Sequence, residues 1–345
     1  MKKLVVIGGG FAGSLLAKKL QNEFDVTLID TKDFFEYTPG ILRVLVEPEH
    51  EKKLKIPHSQ YLNKVKIITG LVKEVSPKSV LVNSNQIQYD YLVIATGSRY
   101  QPKIKDMNVI LSTTAQACIH CVDKIKTSKS ILIVGGGLVG VELAGEITDH
   151  YKNKQITIVQ SPSKLIERNP KKAQDYAEQF LKKRNVNIIY NERVIDKEKD
   201  KFVTTSGTKI QADICFLCVG ITPNSELIKK HFKTKLDSRS HILTNQHLQM
   251  ESHNNIFVLG DVNNIPEEKT GQAAEKQVNL AVKNLRLLLK NKTNLYSYKA
   301  KSKPLIISLG KYDGIFVYKN FVITGLIPAF LKYLVEKKTL FKYKF

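Results

Sequence analysis

Cysteine is scarce in this chain of 345 residues, which contains only four. Cys118 and Cys121 lie in a segment predicted to be helical (113–126), and no second pair of metal-ligating residues lies nearby. Cys215 and Cys218 lie on a predicted buried strand, where residues three apart point to opposite faces. We therefore predict buried structural thiols at all four positions and no metal site.

Long apolar runs and a signal peptide are also missing. Residues 321–331 are apolar, but a membrane-spanning helix needs ~20 such residues. The N-terminus leads directly into a predicted strand, and Lys2 after Met1 excludes a myristoylation signal. We therefore expect a cytoplasmic chain in a reducing compartment.

Acidic residues are few relative to basic ones, with 32 Asp and Glu against 54 Lys and Arg, which gives a net charge of +22. A surplus of this size indicates contact with an anionic partner, either nucleic acid or a membrane surface. A generally lysine-rich composition is the alternative, because the lysines are spread along the whole chain. Both interpretations remain open on charge alone.

A glycine-rich turn follows the first predicted strand and precedes a helix. Gly8 allows the tight turn, Gly10 lets a pyrophosphate approach the backbone, and Gly13 lets the helix pack closely on the strand. The free N–H groups of the helix N-terminus attract phosphate. The next predicted strand ends at Asp30, where a carboxylate accepts hydrogen bonds from a ribose diol. This combination predicts a dinucleotide-binding unit.

A second turn of the same design contains Gly135, Gly137 and Gly140. Its second strand ends at Gln160, so the acid is missing. An acid there repels the 2′-phosphate of NADP, and an arginine favours it. Because Gln160 does neither and Lys164 and Arg168 follow it, we expect either NADH or NADPH to bind at the second turn.

Two further strands end in small-residue turns, Ala95-Thr96-Gly97 and Gly260-Asp261. With both glycine turns in this order, nearly the whole chain resembles the flavoprotein pyridine-nucleotide reductases. In that family the Ala-Thr-Gly turn closes the flavin domain, and the Gly-Asp aspartate binds the ribityl chain of the flavin. The resemblance implies that the first turn binds FAD and the second binds NAD(P)H.

The resemblance yields a set of expected cofactor-binding residues: Gly8, Gly10, Phe11, Ala12, Gly13, Asp30, Lys32, Arg43, Ala95, Thr96, Gly97, Gly135, Gly137, Gly140, Gln160, Gly220, Gly260 and Asp261.

Disulfide reductases of this architecture have two cysteines soon after the first strand–helix–strand unit, and their sulfide-oxidising relatives also need cysteines beside the flavin. The corresponding stretch here, residues 34–44, contains none. We therefore expect the flavin to pass electrons directly to a diffusing acceptor.

Residues 270–277 resemble the stretch at the mouth of the quinone site in type II NADH dehydrogenases. Gly271 stands where that group has alanine, and Lys276 stands where it has the first of two paired glutamines. We expect Gln272, Lys276 and Gln277 to lie near the acceptor, with Lys276 stabilising negative charge on the reduced flavin or quinol. Glu142, early in the second helix, is expected either to position the nicotinamide or to interact with the helix dipole.

The C-terminal residues sharpen the resemblance. Residues 304–314 are similar to a segment of the ferroptosis suppressor proteins, flavin-dependent NAD(P)H:quinone reductases related to apoptosis-inducing factor. In the following helix Ile327, Phe330, Leu331 and Leu334 share one face, with lysines beyond. Such a segment suits the headgroup region of a bilayer. Packing on the protein's own core or on a second subunit is the alternative. Deletion of 321–345 is expected to spare flavin reduction.

The predicted fold is α/β, with two doubly wound Rossmann-like domains and a short C-terminal segment. We assign residues 1–105 and 244–300 to the FAD-binding domain and 106–243 to the NAD(P)H-binding domain. Residues 301–345 form the C-terminal segment, facing the quinone and the membrane.

The predicted function is electron transfer from NAD(P)H through FAD to a quinone, by a peripherally membrane-associated enzyme. Three alternatives remain: a soluble NAD(P)H oxidase or ferredoxin reductase, a nucleotide-sensing DNA-binding protein, and an assembly role in which the C-terminal helix forms a homodimer. Nucleic acid is the less favoured partner.

Overall fold

A computed structural model of the chain describes residues 1–100, 109–110 and 114–344. It contains two five-stranded parallel sheets, each covered by helices. The predicted α/β fold with two Rossmann-like units is therefore confirmed. The predicted domain boundary between residues 105 and 106 lies outside the described residues.

The first sheet is built around the strand that precedes the first glycine turn. Leu4, Val5 and Val6 of that strand are almost completely buried, as expected for the centre of a parallel sheet. The strands of this sheet, in spatial order, are Ile256–Val258, Tyr91–Ile94, Lys3–Ile7, Asp25–Asp30 and Val65–Thr69. The helices Phe11–Leu20 and Gly271–Leu289 pack against each other beside it.

The second sheet repeats this design around the strand that precedes the second glycine turn. Its strands, in spatial order, are Val109–Ile110, Ile214–Leu217, Ser130–Val134, Gln155–Gln160 and Asn187–Tyr190. Its two longer helices are Leu138–His150 and Lys171–Lys182.

In each half of the molecule a three-stranded antiparallel sheet follows the edge strand Val65–Thr69 or Asn187–Tyr190 of the parallel sheet. The strands of these two small sheets are Val72–Val75, Ser79–Val82, Asn85–Gln88, Val194–Glu198, Lys201–Thr204 and Lys209–Gln211. Strands Phe34–Glu36 and Lys55–Pro57 form a separate antiparallel pair. The short α-helices are Ile41–Val44, Glu51–Leu54, Ala115–Ile119, Val122–Thr127 and Lys229–Phe232.

Two linkers connect the halves and pair with each other. Ser98–Tyr100 and Ile221–Pro223 form an antiparallel pair. The Thr96 hydroxyl donates to the carbonyl oxygen of Asn224 at 2.7 Å, and the Asn224 side chain returns a hydrogen bond to the Thr96 carbonyl at 2.8 Å. The two linkers between the halves therefore lie side by side.

Residues that follow the second linker pack on the first sheet. Leu227, Ile228, Phe232 and Ile242 belong to the same buried cluster as Val5. We therefore propose to move the second domain boundary from residue 243 to the paired linker.

The C-terminal residues join both halves. Strands Leu305–Ser308, Gly314–Tyr318 and Phe321–Thr324 form an antiparallel sheet, followed by the helix Leu326–Phe341. A Cβ added at Gly145 would lie 2.9 Å from the Cα of Leu309, so this sheet sits directly on the helix after the second glycine turn.

The chain then returns to the first half. Tyr343 is completely buried, its ring stacked on Phe35 at 4.1 Å and edge-on to Tyr61 at 5.1 Å. Deletion of residues 321–345 would therefore remove a buried ring from the core of the first half. The expectation that this deletion spares flavin reduction stays a prediction. Among the described helices, none combines the length and apolar character needed to cross a bilayer.

Candidate functional site

The first glycine turn has three glycines fixed by packing, Gly8, Gly9 and Gly13, and one, Gly10, that faces open space. Gly8 has a φ of 100°, and an added Cβ would lie 2.3 Å from the carbonyl oxygen of Ala95. At Gly13 an added Cβ would lie 1.8 Å from the Gly8 carbonyl oxygen. At Gly10 nothing lies within 4 Å. Protein packing therefore explains three of the glycines, and the open space at Gly10 leaves room for a ligand to approach the backbone.

The helix that begins at Phe11 completes this cradle. Gly10 is its N-cap residue and supplies no side-chain cap, so the first backbone N–H groups remain available. A phosphate fits this position by charge and by hydrogen bonding. The residues therefore suit the pyrophosphate of a dinucleotide.

The second glycine turn repeats the geometry. An added Cβ at Gly140 would lie 1.8 Å from the Gly135 carbonyl oxygen, whereas nothing lies within 4 Å of Gly137. Gly135 has a φ of 106° and approaches Val219, next to Gly220. Both turns therefore have the geometry of a phosphate cradle, and Gly220 lies beside the second one.

Asp30 and Gln160, the last residues of strands Asp25–Asp30 and Gln155–Gln160, each accept a hydrogen bond from the backbone of the adjacent glycine turn. Asp30 accepts a hydrogen bond from the backbone N–H of Gly9. Gln160 accepts one from the N–H of Gly136 at 2.7 Å, and its amide nitrogen donates to the carbonyl of Lys164 at 3.2 Å. Gln160 thus replaces Asp30 structurally without its charge.

His58 is a buried side chain beside the first turn that the sequence did not reveal. Its Nε2 occupies the space next to Gly9 and Asp30 and has no hydrogen-bond partner, while its Nδ1 lies 2.6 Å from the Tyr61 hydroxyl. Burial lowers the pKa of His58 to about 4, so the ring is neutral near pH 7. No spacing in the sequence relates residue 58 to residue 9.

The predicted small-residue turns lie beside the two cradles. Gly97 and Gly220 both have positive φ and open space around them, at the ends of the paired linkers. An added Cβ at Gly260 would lie 3.9 Å from the Cβ of Ala12. Asp261 accepts a hydrogen bond from the Ser98 hydroxyl at 2.9 Å. Ala12, Ala95, Gly260 and Asp261 therefore border the first cradle.

Gln277 has a structural role instead of the expected contact with the acceptor. Its side-chain oxygen accepts hydrogen bonds from the Gly260 N–H at 2.7 Å and the Asn263 amide at 2.8 Å, and its nitrogen donates to Glu267 at 2.9 Å. It is buried, with no free group directed towards a cavity. The prediction for Gln277 is corrected: it fixes the Gly260–Asp261 turn.

Gln272 and Lys276 remain available. They are four residues apart on the first turns of the helix Gly271–Leu289, where Gln272 is exposed and Lys276 is half-buried. An added Cβ at Gly271 would lie 2.8 Å from the Phe11 ring, so this helix start borders the first cradle. Both side chains can therefore meet an acceptor that approaches there.

Glu142 is held by the C-terminal segment. Its carboxylate forms an ion pair with Lys332 at 2.6 Å and accepts the N–H of Ser308 at 2.9 Å. Burial raises the pKa of Tyr100, and the nearby Asp261 and Glu142 charges add to this effect. Tyr100 therefore lies close enough to Asp261 of the first half and Glu142 of the second to be influenced by both charges.

Arg43 and Lys32 are already paired with protein carboxylates. Arg43 forms two hydrogen bonds with Glu146, at 2.8 and 3.2 Å, and a third with the Gly310 carbonyl at 3.2 Å. Lys32 pairs with the buried Glu36 at 3.0 Å, close to Asp30. Arg43 thus joins the two halves and the C-terminal segment, and its contact with a cofactor stays a prediction.

The four cysteines have no disulfide bond among them. Burial raises the pKa of Cys118 and of Cys218 to about 12 and also raises that of Cys121. Thiolates are therefore disfavoured at these positions, consistent with structural thiols. Within the described residues, no three potential metal-ligating side chains converge.

Two glycine turns of this geometry define a class of protein that binds two dinucleotides. Residues 2–283 match the pyridine nucleotide-disulphide oxidoreductase family, and the chain belongs to it. It is 34% identical to apoptosis-inducing factor homolog B of Dictyostelium discoideum, over 99% of this chain and 95% of that protein. It is 31% identical to human ferroptosis suppressor protein 1, over 95% of this chain and 92% of that protein.

Solved structures show the same fold. The sulfide:quinone oxidoreductase of Aquifex aeolicus superposes with a TM-score of 0.89 at 21% identity, over 100% of this chain and 92% of that chain. NDH2 from Plasmodium falciparum in complex with NADH gives a TM-score of 0.86 at 16% identity, over 99% and 96%. The protein is therefore a flavoprotein oxidoreductase, and the prediction of FAD with a pyridine nucleotide is confirmed at the level of the family.

Proposed function

We propose that this protein passes electrons from NADH or NADPH, through FAD, to a quinone at a membrane surface. The observation that carries the proposal is the pair of open glycine cradles, together with the lack of cysteine in residues 34–44, the stretch after the first strand–helix–strand unit. We assign FAD to the first turn and the nicotinamide nucleotide to the second.

The cofactor supplies the redox chemistry, since FAD accepts hydride from a nicotinamide and releases electrons to an acceptor. The chain supplies binding and position. Gly10 and the Phe11–Leu20 helix start hold one pyrophosphate, and Gly137 and the Leu138–His150 helix start hold the other. Asp30 accepts hydrogen bonds from a ribose.

Gln272 and Lys276 are proposed to contact the acceptor. Both lie at the start of the helix that borders the first cradle, and the ammonium group of Lys276 stabilises negative charge that develops during reduction. Glu142, neutralised by Lys332, closes the side of the cleft that belongs to the C-terminal segment. Its ion pair supports a role in fixing this wall and leaves one carboxylate oxygen for a ligand.

Membrane contact is proposed for the outer face of the C-terminal helix. Leu326, Ile327, Phe330, Tyr333 and Leu334 are 43–70% exposed there. Leu331, which the sequence grouped with this face, is half-buried.

Charge complementarity supports a lipid surface as the occupant of this face. Lys337 and Lys338 are exposed on the next turn, and Lys319 and Lys344 are exposed nearby. Aromatic and aliphatic side chains beside lysines suit an anionic bilayer surface. We therefore commit to a membrane as the partner, with a second copy of the chain as the rival outcome.

The test compares two substitutions of apolar residues that are equally exposed. Phe330→Glu should weaken flotation with phosphatidylserine-containing vesicles by about tenfold, because it replaces apolar burial with a charge. It should also slow oxidation of NADPH by a long-chain quinone embedded in those vesicles. Ile195→Glu, on a distant small sheet, is the control, since Ile195 is 60% and Phe330 is 61% exposed.

Turnover with a water-soluble short-chain quinone should be equal in both variants and in the unsubstituted protein. Equal vesicle binding by the two variants would refute the membrane surface. A dimer that dissociates only in Phe330→Glu, measured by light scattering, would instead identify the face as a subunit interface. Salt-sensitive DNA affinity without quinone turnover would favour the DNA-binding alternative.

A further inference from the structure

The two nucleotide-binding units differ at one matched position beside the ends of their second strands. In the first unit the N–H of Gly70 donates to the Asp30 carbonyl at 2.7 Å, and Leu71 follows. In the second unit the N–H of Glu192 donates to the Gln160 carbonyl at 3.2 Å, and Arg193 follows. Leu71 and Arg193 each directly follow the residue that makes this hydrogen bond, and of the two only Arg193 is charged.

Arg193 is directed towards the residue that follows Gln160. Its Nε donates to the Ser161 hydroxyl at 2.9 Å. The side chain is exposed, and the described part of the chain provides no acidic partner for it. The adjacent Glu192 is engaged elsewhere, since its carboxylate accepts the Thr205 hydroxyl at 2.7 Å and the Ser206 N–H at 3.1 Å. The guanidinium therefore keeps donors for a ligand.

The two cations that the sequence suggested are already neutralised. Lys164 pairs with Glu178 at 3.5 Å, and Arg168 pairs with Glu268 at 3.3 Å. Both ends of the Gln160 amide are occupied by backbone groups. Among the residues that the structure describes, Arg193 is thus the cation at this strand end without an acidic partner.

The residues at the end of this strand can distinguish a dinucleotide with a free 2′-hydroxyl from one with a 2′-phosphate. The end of the second strand is where a Rossmann unit meets the adenosine ribose of its dinucleotide. A carboxylate there binds a free 2′-hydroxyl and repels a 2′-phosphate, whereas arginine binds phosphate with two parallel hydrogen bonds. The second unit has Gln160 at the strand end where the first has Asp30, and it has Arg193 nearby where the first has Leu71.

We propose that Ser161 and Arg193 form the binding site for the 2′-phosphate of NADPH, which makes Arg193 the residue that sets the preference for NADPH over NADH. This inference rests on the assignment of the nicotinamide nucleotide to the second glycine turn. It goes beyond that assignment because it selects one of the two nucleotides and identifies the side chains that read the difference.

The test uses nucleotide fragments, so that it does not depend on turnover or on the electron acceptor. Calorimetry on the FAD-loaded protein compares adenosine 2′,5′-bisphosphate with 5′-AMP. The bisphosphate should bind at least about tenfold more tightly, as expected for hydrogen bonds between charged groups. Arg193→Ala should reduce the two affinities to parity while leaving that for 5′-AMP unchanged.

Two further variants separate the role of Arg193 from general charge. Arg168→Ala removes a nearby arginine that is already paired and should preserve the preference. Arg193→Lys keeps the charge without the planar fork and should give an intermediate preference. Because Arg193 is exposed, unchanged FAD content and melting temperature are expected to show that each variant is folded.

Equal binding of the two fragments by the unsubstituted protein would overturn this inference alone, as would a preference that survives in Arg193→Ala. Failure to bind either fragment would overturn the nucleotide assignment of the second turn, and the present inference with it.

Discussion

The two glycine turns share their backbone geometry but differ in what surrounds the ribose end of each strand. In both, one glycine touches the strand and another faces open space. At the first turn a carboxylate, Asp30, lies next to a buried histidine. At the second, the neutral Gln160 lies next to Leu165 and within reach of the Ser161–Arg193 pair. Packing therefore sets the cradle, and the chemistry at the strand end sets which nucleotide it accepts.

The largest effects should come from breaking the cradles themselves. Gly13→Ala places a Cβ against the Gly8 carbonyl and should lower the free energy of unfolding by about 3 kcal/mol, measured by urea denaturation.

Gly10→Val should leave the apoprotein folded but abolish FAD retention, because the side chain fills the pyrophosphate space.

Gly137→Val is the matched control for Gly10→Val. It should retain the yellow colour and lose nucleotide binding at the second turn, measured by calorimetry with NADP⁺. Loss of FAD from Gly137→Val but not from Gly10→Val would reverse the assignment of the two turns.

The histidine beside the first turn should make the free energy of unfolding depend on pH. Because the pKa of His58 falls from 6.5 to about 4 on folding, the unfolded chain binds more protons between these values. Stability should therefore rise from pH 4 to pH 6.5, by up to about 3 kcal/mol. Below pH 4 His58 is protonated in both the folded and the unfolded chain, so the stability gained from its neutral form is lost.

His58→Asn removes this titration and should flatten the slope in that window, measured by denaturant unfolding at several pH values. Leu165, which occupies the corresponding space in the second unit, contributes no such dependence. An unchanged slope in His58→Asn would show that another group is responsible.

Smaller effects should follow from exchanging the two strand-end residues. Asp30→Asn removes a charged acceptor from the first ribose and should weaken FAD binding by about tenfold, measured by flavin fluorescence during dilution. Gln160→Glu should weaken binding of NADPH more than that of NADH, by about tenfold at low salt. If both substitutions affected only FAD, the second turn would not bind the nicotinamide nucleotide.

Local patterns were sufficient to predict the glycine turns, because strand, turn and helix are neighbours in the chain. Gly8, Gly13, Gly135 and Gly140 are glycines for the backbone reasons that the pattern indicates.

Roles that depend on distant residues were beyond the sequence. Gln277 was predicted to contact the acceptor, but its partners lie in the Gly260 turn. The ion pair of Arg43 with Glu146, which is distant in sequence, was likewise not predicted. Such pairings are set by how helices of the two halves pack, and single-residue patterns do not encode that packing.

The most direct test of the central claim is an anaerobic stopped-flow experiment on the yellow holoprotein. NADPH should bleach the flavin absorbance, and a short-chain ubiquinone should then restore it, whereas oxidised glutathione should not. Restoration by the disulfide, or failure of the quinone to restore the colour, would contradict direct electron transfer from the flavin to a quinone.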